Sequence, residues 1–205
     1  MIRLRRPDDE TIARHLRELA DSSAPYSYAE VGATRDRSTP IGEQVPSRYN
    51  VDVRRFEIGG PGSARERFAR ARTALLRWCH FGVPWIEFHG VDGPAYEGQV
   101  VATLARVAGV WFLNPCRVVY VDAPPGGDSV CFAYGTLEDH AEAGEERFCL
   151  DLDVERDRVE YEIAAFSWPR SWLPLLAYPL SRSIQRRFAV ATAEALEVGM
   201  READG

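Results

Sequence analysis

The amino-acid sequence predicts an α+β fold in which a curved antiparallel sheet packs on one long C-terminal helix. Apolar and polar residues alternate through most of residues 100–163, which is the two-residue period of half-buried antiparallel strands. The spacing then becomes helical, and the apolar stripe that predicts the terminal helix is Leu180, Ile184, Phe188, Ala191, Ala195 and Val198. This order of elements leaves room for a cavity between the sheet and the helix.

The N-terminal part of the chain predicts an extension that packs on the rest. Asp8 to Ala20 carry apolar residues on one helical face, and the following stretch to Pro46 is rich in Ser, Pro, Gly and Tyr. We therefore expect residues 1–46 to form an N-terminal helix and an irregular extension. Residues 47–205 are expected to form a single α+β domain.

A strand and a helix are predicted ahead of the alternating region. Asn50 to Ile58 alternates as a strand and ends at the glycine-rich sequence 59–62. Ser63 and Glu66 then form the capping-box pattern that starts a helix. The glycine-rich turn is either a plain strand-to-helix connection or a site for an anion at the helix N-terminus.

Three alternating runs and a hairpin predict the antiparallel meander. The runs are Val100 to Val107, Arg117 to Asp122 and Ser129 to Leu137, and the hairpin covers residues 147–163. The residues that share one face of the third run are Val130, Phe132, Tyr134 and Thr136. Glu145 and Glu146 are adjacent in a strand, so at most one of them points to the interior, where pairing with an Arg is expected. The outer face of the 147–163 hairpin is acidic and is expected to be solvated.

The composition excludes several kinds of chemistry. All 25 basic side chains are arginine, so a lysine Schiff base and a Walker-type phosphate lysine are both impossible. The formal net charge of −6 disfavours nucleic-acid binding, which needs a basic surface. No run of roughly 18 apolar residues occurs, so no transmembrane segment is expected. The charged N-terminus does not read as a secretory signal.

The cysteines and histidines predict no special site. The cysteines are Cys79, Cys116, Cys131 and Cys149, and no two of them form a Cys-x-x-Cys pair. We expect all four to be reduced thiols in a cytoplasmic protein, with a disulfide as the alternative. Together with Cys79, the residues His80, His89 and His140 show no familiar ligand spacing, so neither a metal site nor a cofactor is expected.

The candidates for acid–base or nucleophilic chemistry are Tyr134, His140, Glu146 and Cys116. The neighbouring Arg117 is placed to lower the pKa of the Cys116 thiol and make it a nucleophile. His140 is then the candidate base, oriented by Glu145 or Glu146. The alternative is that residues 114–117 form a turn in which the Cys fills the core.

For a binding site, the expected ligand contacts are Trp111, Asn114, Arg117, Tyr134, Thr136 and His140. Tyr134 offers a hydroxyl as a hydrogen-bond donor or acid. The next residue, Gly135, lets a ligand or another backbone approach closely. Packing is the alternative role for both.

Several short segments are distinctive as a set. They are Tyr28–Thr34 (YAEVGAT), Asn114–Tyr120 (NPCRVVY), Phe132–Leu137 (FAYGTL), His140, Gly144–Phe148 (GEERF) and Ala165–Ser167 (AFS). Together they resemble uncharacterised protein family 0548, a domain of unknown function found in bacteria and plants. The resemblance extends from about Tyr28 to Ala195, which is most of the chain.

The resemblance implies a helix-grip fold related to START and Bet v 1-like proteins, which hold apolar ligands between the sheet and the helix. The expected partner is therefore a small hydrophobic or amphipathic molecule in that cavity. Two alternatives stay open. One is an enzyme of cyclase, lyase or hydrolase type that acts in the same cavity, and the other is a protein-interaction module, including a homodimer.

Overall fold

The structure, a computed structural model, describes residues 2–107, 109–169 and 178–202. Its strands are β1 (Ile2–Arg3), β2 (Asn50–Glu57), β3 (Ile86–His89), β4 (Val100–Val107), β5 (Val110–Asp122), β6 (Ser129–Thr136), β7 (Glu142–Asp153) and β8 (Arg158–Pro169). Its helices are α1 (Asp9–Asp21), α2 (Ile41–Gln44), α3 (Ala64–Leu76) and α4 (Tyr178–Glu202), with a short 3₁₀ turn at Cys79–Phe81. None of the helices within these ranges is long and apolar enough to cross a membrane.

The strands form one antiparallel sheet in the order β2-β8-β7-β6-β5-β4-β3, and the short β1 pairs with β5. We call the face that packs against α3 and α4 the inner face. Its core joins Phe68 of α3 and Leu196 of α4 to the sheet residues Phe132, Phe148 and Tyr161. Burial of these large side chains is the main stabilising contribution of this layer. The predicted fold class is therefore confirmed.

The opposite face of the sheet, the outer face, is also covered. Ile12 of α1 is buried against Leu104 and Leu113. Further along, the N-terminal segment 26–49 packs Tyr28 and other apolar residues on the β8 residue Phe166. The expectation of a solvated acidic outer face is therefore wrong for its central part, where Glu162 of β8 is only 2% exposed.

Several elements agree with the sequence pattern and others extend it. The helix at Asp8–Ala20 and the capping box at Ser63 and Glu66 are confirmed. Strand β5 begins at Val110 instead of Arg117, so Asn114–Arg117 lie inside a strand and not in a turn. Pro115 is tolerated there because β6 pairs with β5 only from Cys116 onward.

The C-terminal helix is confirmed, but its buried stripe differs from the predicted one. Ala191 and Ala195 are buried as expected, whereas Val198 is 45% exposed. The side chains of Leu180 and Ile184 lie outside the described residues. The described residues of α4 that join the main core are Ala189, Ala193, Leu196 and Met200.

The cysteine prediction is wrong for two of the four residues. Cys131 and Cys149 form a disulfide, whereas Cys79 and Cys116 are free thiols. The reason is the register of β6 and β7, which places Cys131 directly opposite Cys149 with a Cα–Cα distance of 4.2 Å. Directly opposite residues in an antiparallel pair have the spacing that a disulfide requires.

Candidate functional site

A Tyr–Glu pair lies on the inner face where β6 meets β7. Tyr134 is directly opposite Glu146, and its hydroxyl donates a hydrogen bond of 2.5 Å to the Glu146 carboxylate. Burial raises the pKa of Glu146 to about 7, the Tyr134 hydrogen bond opposes this shift, and the negative charges of Glu142 and Asp52 add to it. A carboxyl group that titrates near neutral pH can give or take a proton under ordinary conditions.

Cys116 joins this pair from the neighbouring strand β5. It is 5% exposed, and burial together with the negative charge of Glu146 raises the pKa of its thiol well above the usual range. The expected activation by Arg117 is wrong, because successive strand residues point to opposite faces and Arg117 lies on the outer face. Cys116 is therefore a neutral thiol beside the pair.

Two of the predicted ligand contacts hold α1 against the outer face. Arg117 donates to the backbone carbonyl oxygens of Ala24, at 2.5 Å, and Leu19, at 2.9 Å. Trp111 packs beside Ile12 in the cluster that α1 forms with β4 and β5. Neither side chain shares a face with Tyr134.

The remaining predicted contacts lie on the inner face or in the adjoining turn. Asn114 is partly exposed on the inner face, and its Oδ1 atom is buried with no hydrogen-bond partner among the described residues. The Thr136 hydroxyl accepts from the backbone N–H of Gly144 at 2.9 Å. His140 lies in the β6–β7 turn, where its Nδ1 accepts from the backbone N–H of Glu142 at 2.9 Å.

The proposed combination of Cys116, His140 and a glutamate is only partly brought together. Cys116 and Glu146 share the inner face, whereas the hydrogen bond that His140 Nδ1 accepts from the Glu142 backbone N–H stabilises the hairpin turn. Glu145 points to the outer face, as the alternation predicts for one member of the pair. The inward Glu146 is bonded to a tyrosine, so the expectation that it pairs with an arginine is wrong.

Glu145 fastens the N-terminal segment, a role that sequence reasoning missed. Its buried carboxylate accepts from the Tyr28 hydroxyl at 2.7 Å and from the backbone N–H groups of Gly32, at 2.7 Å, and Thr34, at 3.0 Å. A Cβ atom on Gly135 would lie 2.1 Å from the Tyr28 hydroxyl, so this close approach requires glycine. The Tyr28–Thr34 and Gly144–Phe148 motifs thus form one structural unit.

Arg147, next in the same motif, completes a buried charge network on the outer face. Its guanidinium donates to the Thr34 carbonyl oxygen and pairs with the Glu162 carboxylate at 2.6 Å. Arg55 of β2 pairs with the second oxygen of Glu162 at 2.7 Å. Buried charges are tolerated when they are paired and hydrogen-bonded in this way.

His80 is a second titratable group that the sequence pattern did not single out. It is fully buried among aromatic rings, with the ring of Phe81 at 4.5 Å and that of Phe148 at 4.6 Å. Neither ring nitrogen has a hydrogen-bond partner among the described residues, and burial lowers the pKa of His80 to about 3. It is therefore neutral at physiological pH.

Three backbone N–H groups at the glycine-rich turn and the start of α3 donate to carboxylate oxygens. The N–H of Gly59 donates to Glu197, that of Ser63 to Glu66 and that of Ala64 to Asp157. The structure thus agrees with a strand-to-helix connection at residues 59–62. Within the described ranges, no group of three or more His, Cys, Asp or Glu residues is placed to share a metal ion.

The similarity of this chain to known proteins identifies its family. Residues 27–195 match the family model described as domain of unknown function DUF1990. The chain belongs to this family. A UPF0548 protein of Dictyostelium discoideum is 33% identical over 200 residues, which cover 93% of this chain and 91% of the relative. A UPF0548 protein of Deinococcus radiodurans is 34% identical over 176 residues, which cover 80% of this chain and 81% of the relative. The resemblance drawn from the sequence motifs is confirmed.

Solved structures show the fold of this DUF1990 chain. The aromatase/cyclase Zhui from Streptomyces sp. R1128 superimposes with a TM-score of 0.53 at 16% identity, over 77% of this chain and 96% of that protein. The protein TTHA0849 from Thermus thermophilus superimposes with a TM-score of 0.51 at 10% identity, over 76% of this chain and all of that protein. At such low identity these similarities concern the helix-grip fold alone.

One recess in the described part of the DUF1990 chain lies between the sheet and the C-terminal helix. It has a volume of about 390 Å³ and is lined by the region of the 3₁₀ turn, including Phe81, by Phe88 of β3 and by α4 residues such as Val198. The ring of Phe81 also lies 6.1 Å from the ring of Tyr134. Phe81 therefore stands between this apolar recess and the Tyr134–Glu146 pair.

Proposed function

We propose that this DUF1990 chain binds an amphipathic small molecule between the inner face of its sheet and α4. The polar end of the ligand is placed at the Tyr134–Glu146 pair, and its apolar body contacts the aromatic side chains beside them. The observation that carries this proposal is a partly exposed glutamate residue, hydrogen-bonded to a tyrosine, beside the aromatic core of the inner face. Ligand sites typically combine apolar walls with a few placed polar groups.

The two ends of the inner face support this location. The end under α3 is filled by the aromatic cluster that includes Phe132 and Phe148. At the other end, Phe112, Asn114 and Ala165 point to the inner face and remain partly exposed. Asn114 adds a buried carbonyl oxygen that lacks a donor among the described residues, as a ligand contact would require.

A matched pair of glutamine variants tests the proposal. N-phenyl-1-naphthylamine, a neutral amphipathic fluorophore with one N–H donor, is titrated into wild type, Glu146→Gln and Glu160→Gln. Glu160 is a control because it is a partly exposed carboxylate on the outer face, 3.3 Å from Arg55. We expect Glu146→Gln to raise the Kd about tenfold, the equivalent of about 1.4 kcal/mol, because a neutral amide oxygen accepts a weaker hydrogen bond than a carboxylate.

Two outcomes contradict the proposal. One is the absence of saturable binding of the fluorophore to wild type, combined with native mass spectrometry that detects no copurified small molecule. The other is a change in Kd for Glu160→Gln that is as large as, or larger than, the change for Glu146→Gln.

An enzyme acting in the same cavity is the second candidate. The observation that favours it is the Glu146 carboxyl group, with a pKa of about 7, in contact with the hydroxyl of Tyr134. Such a pair can move a proton to or from a bound carbonyl compound. A structure of the same fold carries the name aromatase/cyclase, which supports a test with aromatic and enolisable ketones. Deuterium exchange at the ketone α-carbon, lost in Glu146→Gln and kept in Glu160→Gln, is the expected result.

A further inference from the structure

The disulfide lies directly beneath the N-terminal segment on the outer face. Cys149 is fully buried and Cys131 is 6% exposed. Arg37 of this segment contacts the disulfide at Cys131, with its Nη1 3.7 Å from the Cys131 Sγ. A sulfur atom beside a guanidinium is the one that is better stabilised as a thiolate.

Arg37 is also the clamp that holds this part of the segment to the sheet. Its guanidinium forms two bonds to the Asp151 carboxylate, at 2.8 Å and 2.5 Å. Asp151 lies on β7 two residues after Cys149, so clamp and disulfide share one strand face. Nearby, Arg35 binds Asp122 of β5 through a similar pair of bonds at 3.1 Å and 2.6 Å.

We propose that Cys131–Cys149 is a reversible redox latch whose reduction loosens residues 30–38 of the N-terminal segment from the outer face. A dithiol reductant supplies two electrons and two protons. Its first thiolate attacks the more accessible sulfur of Cys131 and releases Cys149 as a thiol. Its second thiol then displaces Cys131 and leaves as a cyclic disulfide.

Two consequences of reduction act on the clamp. First, the two sulfur atoms are no longer bonded and must separate to van der Waals distance. Because Cys149 is fully enclosed, it is Cys131 that moves, and it moves toward Arg37. The Cys131 thiolate then competes with Asp151 for the guanidinium. Both changes weaken the same contact between the segment and β7.

The test compares the oxidised and reduced states of the wild-type protein. Alkylation before and after dithiothreitol treatment, followed by peptide mass spectrometry, determines the state of Cys131 and Cys149. Hydrogen–deuterium exchange is then measured in peptides that cover residues 30–38. We expect exchange about threefold faster or more in the reduced state, because local opening requires less free energy once the clamp is weakened. A peptide from α1, also on the outer face, is the internal control and should be unchanged.

Variants separate the latch from a general effect of reductant. The double variant Cys131→Ala, Cys149→Ala has neither a thiolate to compete for Arg37 nor two sulfur atoms that must separate, so its exchange at residues 30–38 should be the same with and without dithiothreitol. Cys79→Ala removes a free thiol far from the latch and should retain the redox difference. The proposal is overturned if exchange at residues 30–38 is the same in both states. It is equally overturned if both cysteines stay free thiols after treatment with a mild oxidant.

Discussion

At the scale of single residues, burial and the hydrogen bond from Tyr134 have opposite effects on the protonation of Glu146. This bond favours the carboxylate, whereas burial favours the neutral acid and raises the pKa of Glu146 to about 7. We predict that Tyr134→Phe raises the pKa of Glu146 further, because the opposing hydrogen bond is lost. Carbon-13 NMR titration of the glutamate carboxyl groups measures this pKa.

A second tyrosine provides the control for that titration. The Tyr120 hydroxyl lies 3.1 Å from the hydroxyl of Thr34 on the outer face. Tyr120→Phe removes a buried hydroxyl of the same kind and should leave the pKa of Glu146 unchanged. A fall in that pKa in Tyr134→Phe would contradict the assignment of the bond.

The alternation of side chains along a strand determined which residue roles were predictable. Alternation predicted that Glu145 and Glu146 would point to opposite faces, and the structure agrees. The same rule applies to Cys116 and Arg117, but the contact expected between them was argued from their adjacency in the sequence, and the strand was predicted to begin only at Arg117. The roles of Glu145 and Arg147 depend on the segment that reaches them from more than 100 positions away, and no local pattern contains that information.

At the scale of elements, Gly144 shows how closely β7 and β8 approach each other. A Cβ atom on Gly144 would lie 2.0 Å from the carbonyl oxygen of Phe166, which is a backbone atom and cannot rotate away. We predict that Gly144→Ala lowers the free energy of unfolding by about 3 kcal/mol, because the added Cβ atom clashes with the backbone of β8 and the two strands must move apart. Gly42→Ala is the control, because nothing lies within 4 Å of its added Cβ.

Urea denaturation with a shared m-value gives both free energies. Gly42→Ala should change the stability by no more than about 0.5 kcal/mol. An equally small effect of Gly144→Ala would show that β7 and β8 separate readily at this point. The inner-face site beside Glu146 would then be more adaptable than its close packing indicates.

Helices and strands were predictable wherever the spacing of apolar residues stayed regular over many residues. The periods of α1, β4, β6 and α4 predicted elements that the structure contains. Strand β3 has only four residues, so its alternation is too short to distinguish it from a loop. The disulfide follows from the register of the β6–β7 hairpin, in which paired residues lie at equal distances in sequence from residue 140. This register depends on pairing between the strands, so the pattern of a single strand does not predict it.

At the scale of the whole molecule, two layers cover the sheet and only one was expected in detail. The inner layer of α3 and α4 follows from helical spacing. The outer layer depends on hydrogen bonds and ion pairs between an irregular segment and single sheet residues, such as Arg37 with Asp151. Irregular backbone has no period, so its docking surface cannot be predicted from the spacing of residues.

Glu146 and His80, two titratable groups of the interior, give the stability opposite dependences on pH. The pKa of Glu146 rises from its ordinary value of 4.5 to about 7 on folding. Between these values the unfolded chain is ionised while the folded chain stays protonated, so stability falls as the pH rises. Glu146→Gln removes this dependence, and its stability relative to wild type should increase by up to about 3 kcal/mol between pH 4.5 and pH 7.

His80 acts in the opposite direction because its pKa falls from 6.5 to about 3 on folding. Between these values the unfolded chain binds the proton first, so stability is lost as the pH falls through this window. His80→Leu should therefore gain stability relative to wild type on acidification, by up to about 4 kcal/mol near pH 3.5. Urea unfolding of wild type and both variants from pH 3.5 to pH 8 measures the two differences separately.

Between pH 4.5 and pH 6.5 the contributions of Glu146 and His80 oppose each other in wild type. The curve of wild-type stability against pH should therefore be flatter there than the curve of either variant. A His80→Leu difference that does not change with pH would mean that the imidazole reaches water or a hydrogen-bond partner in solution.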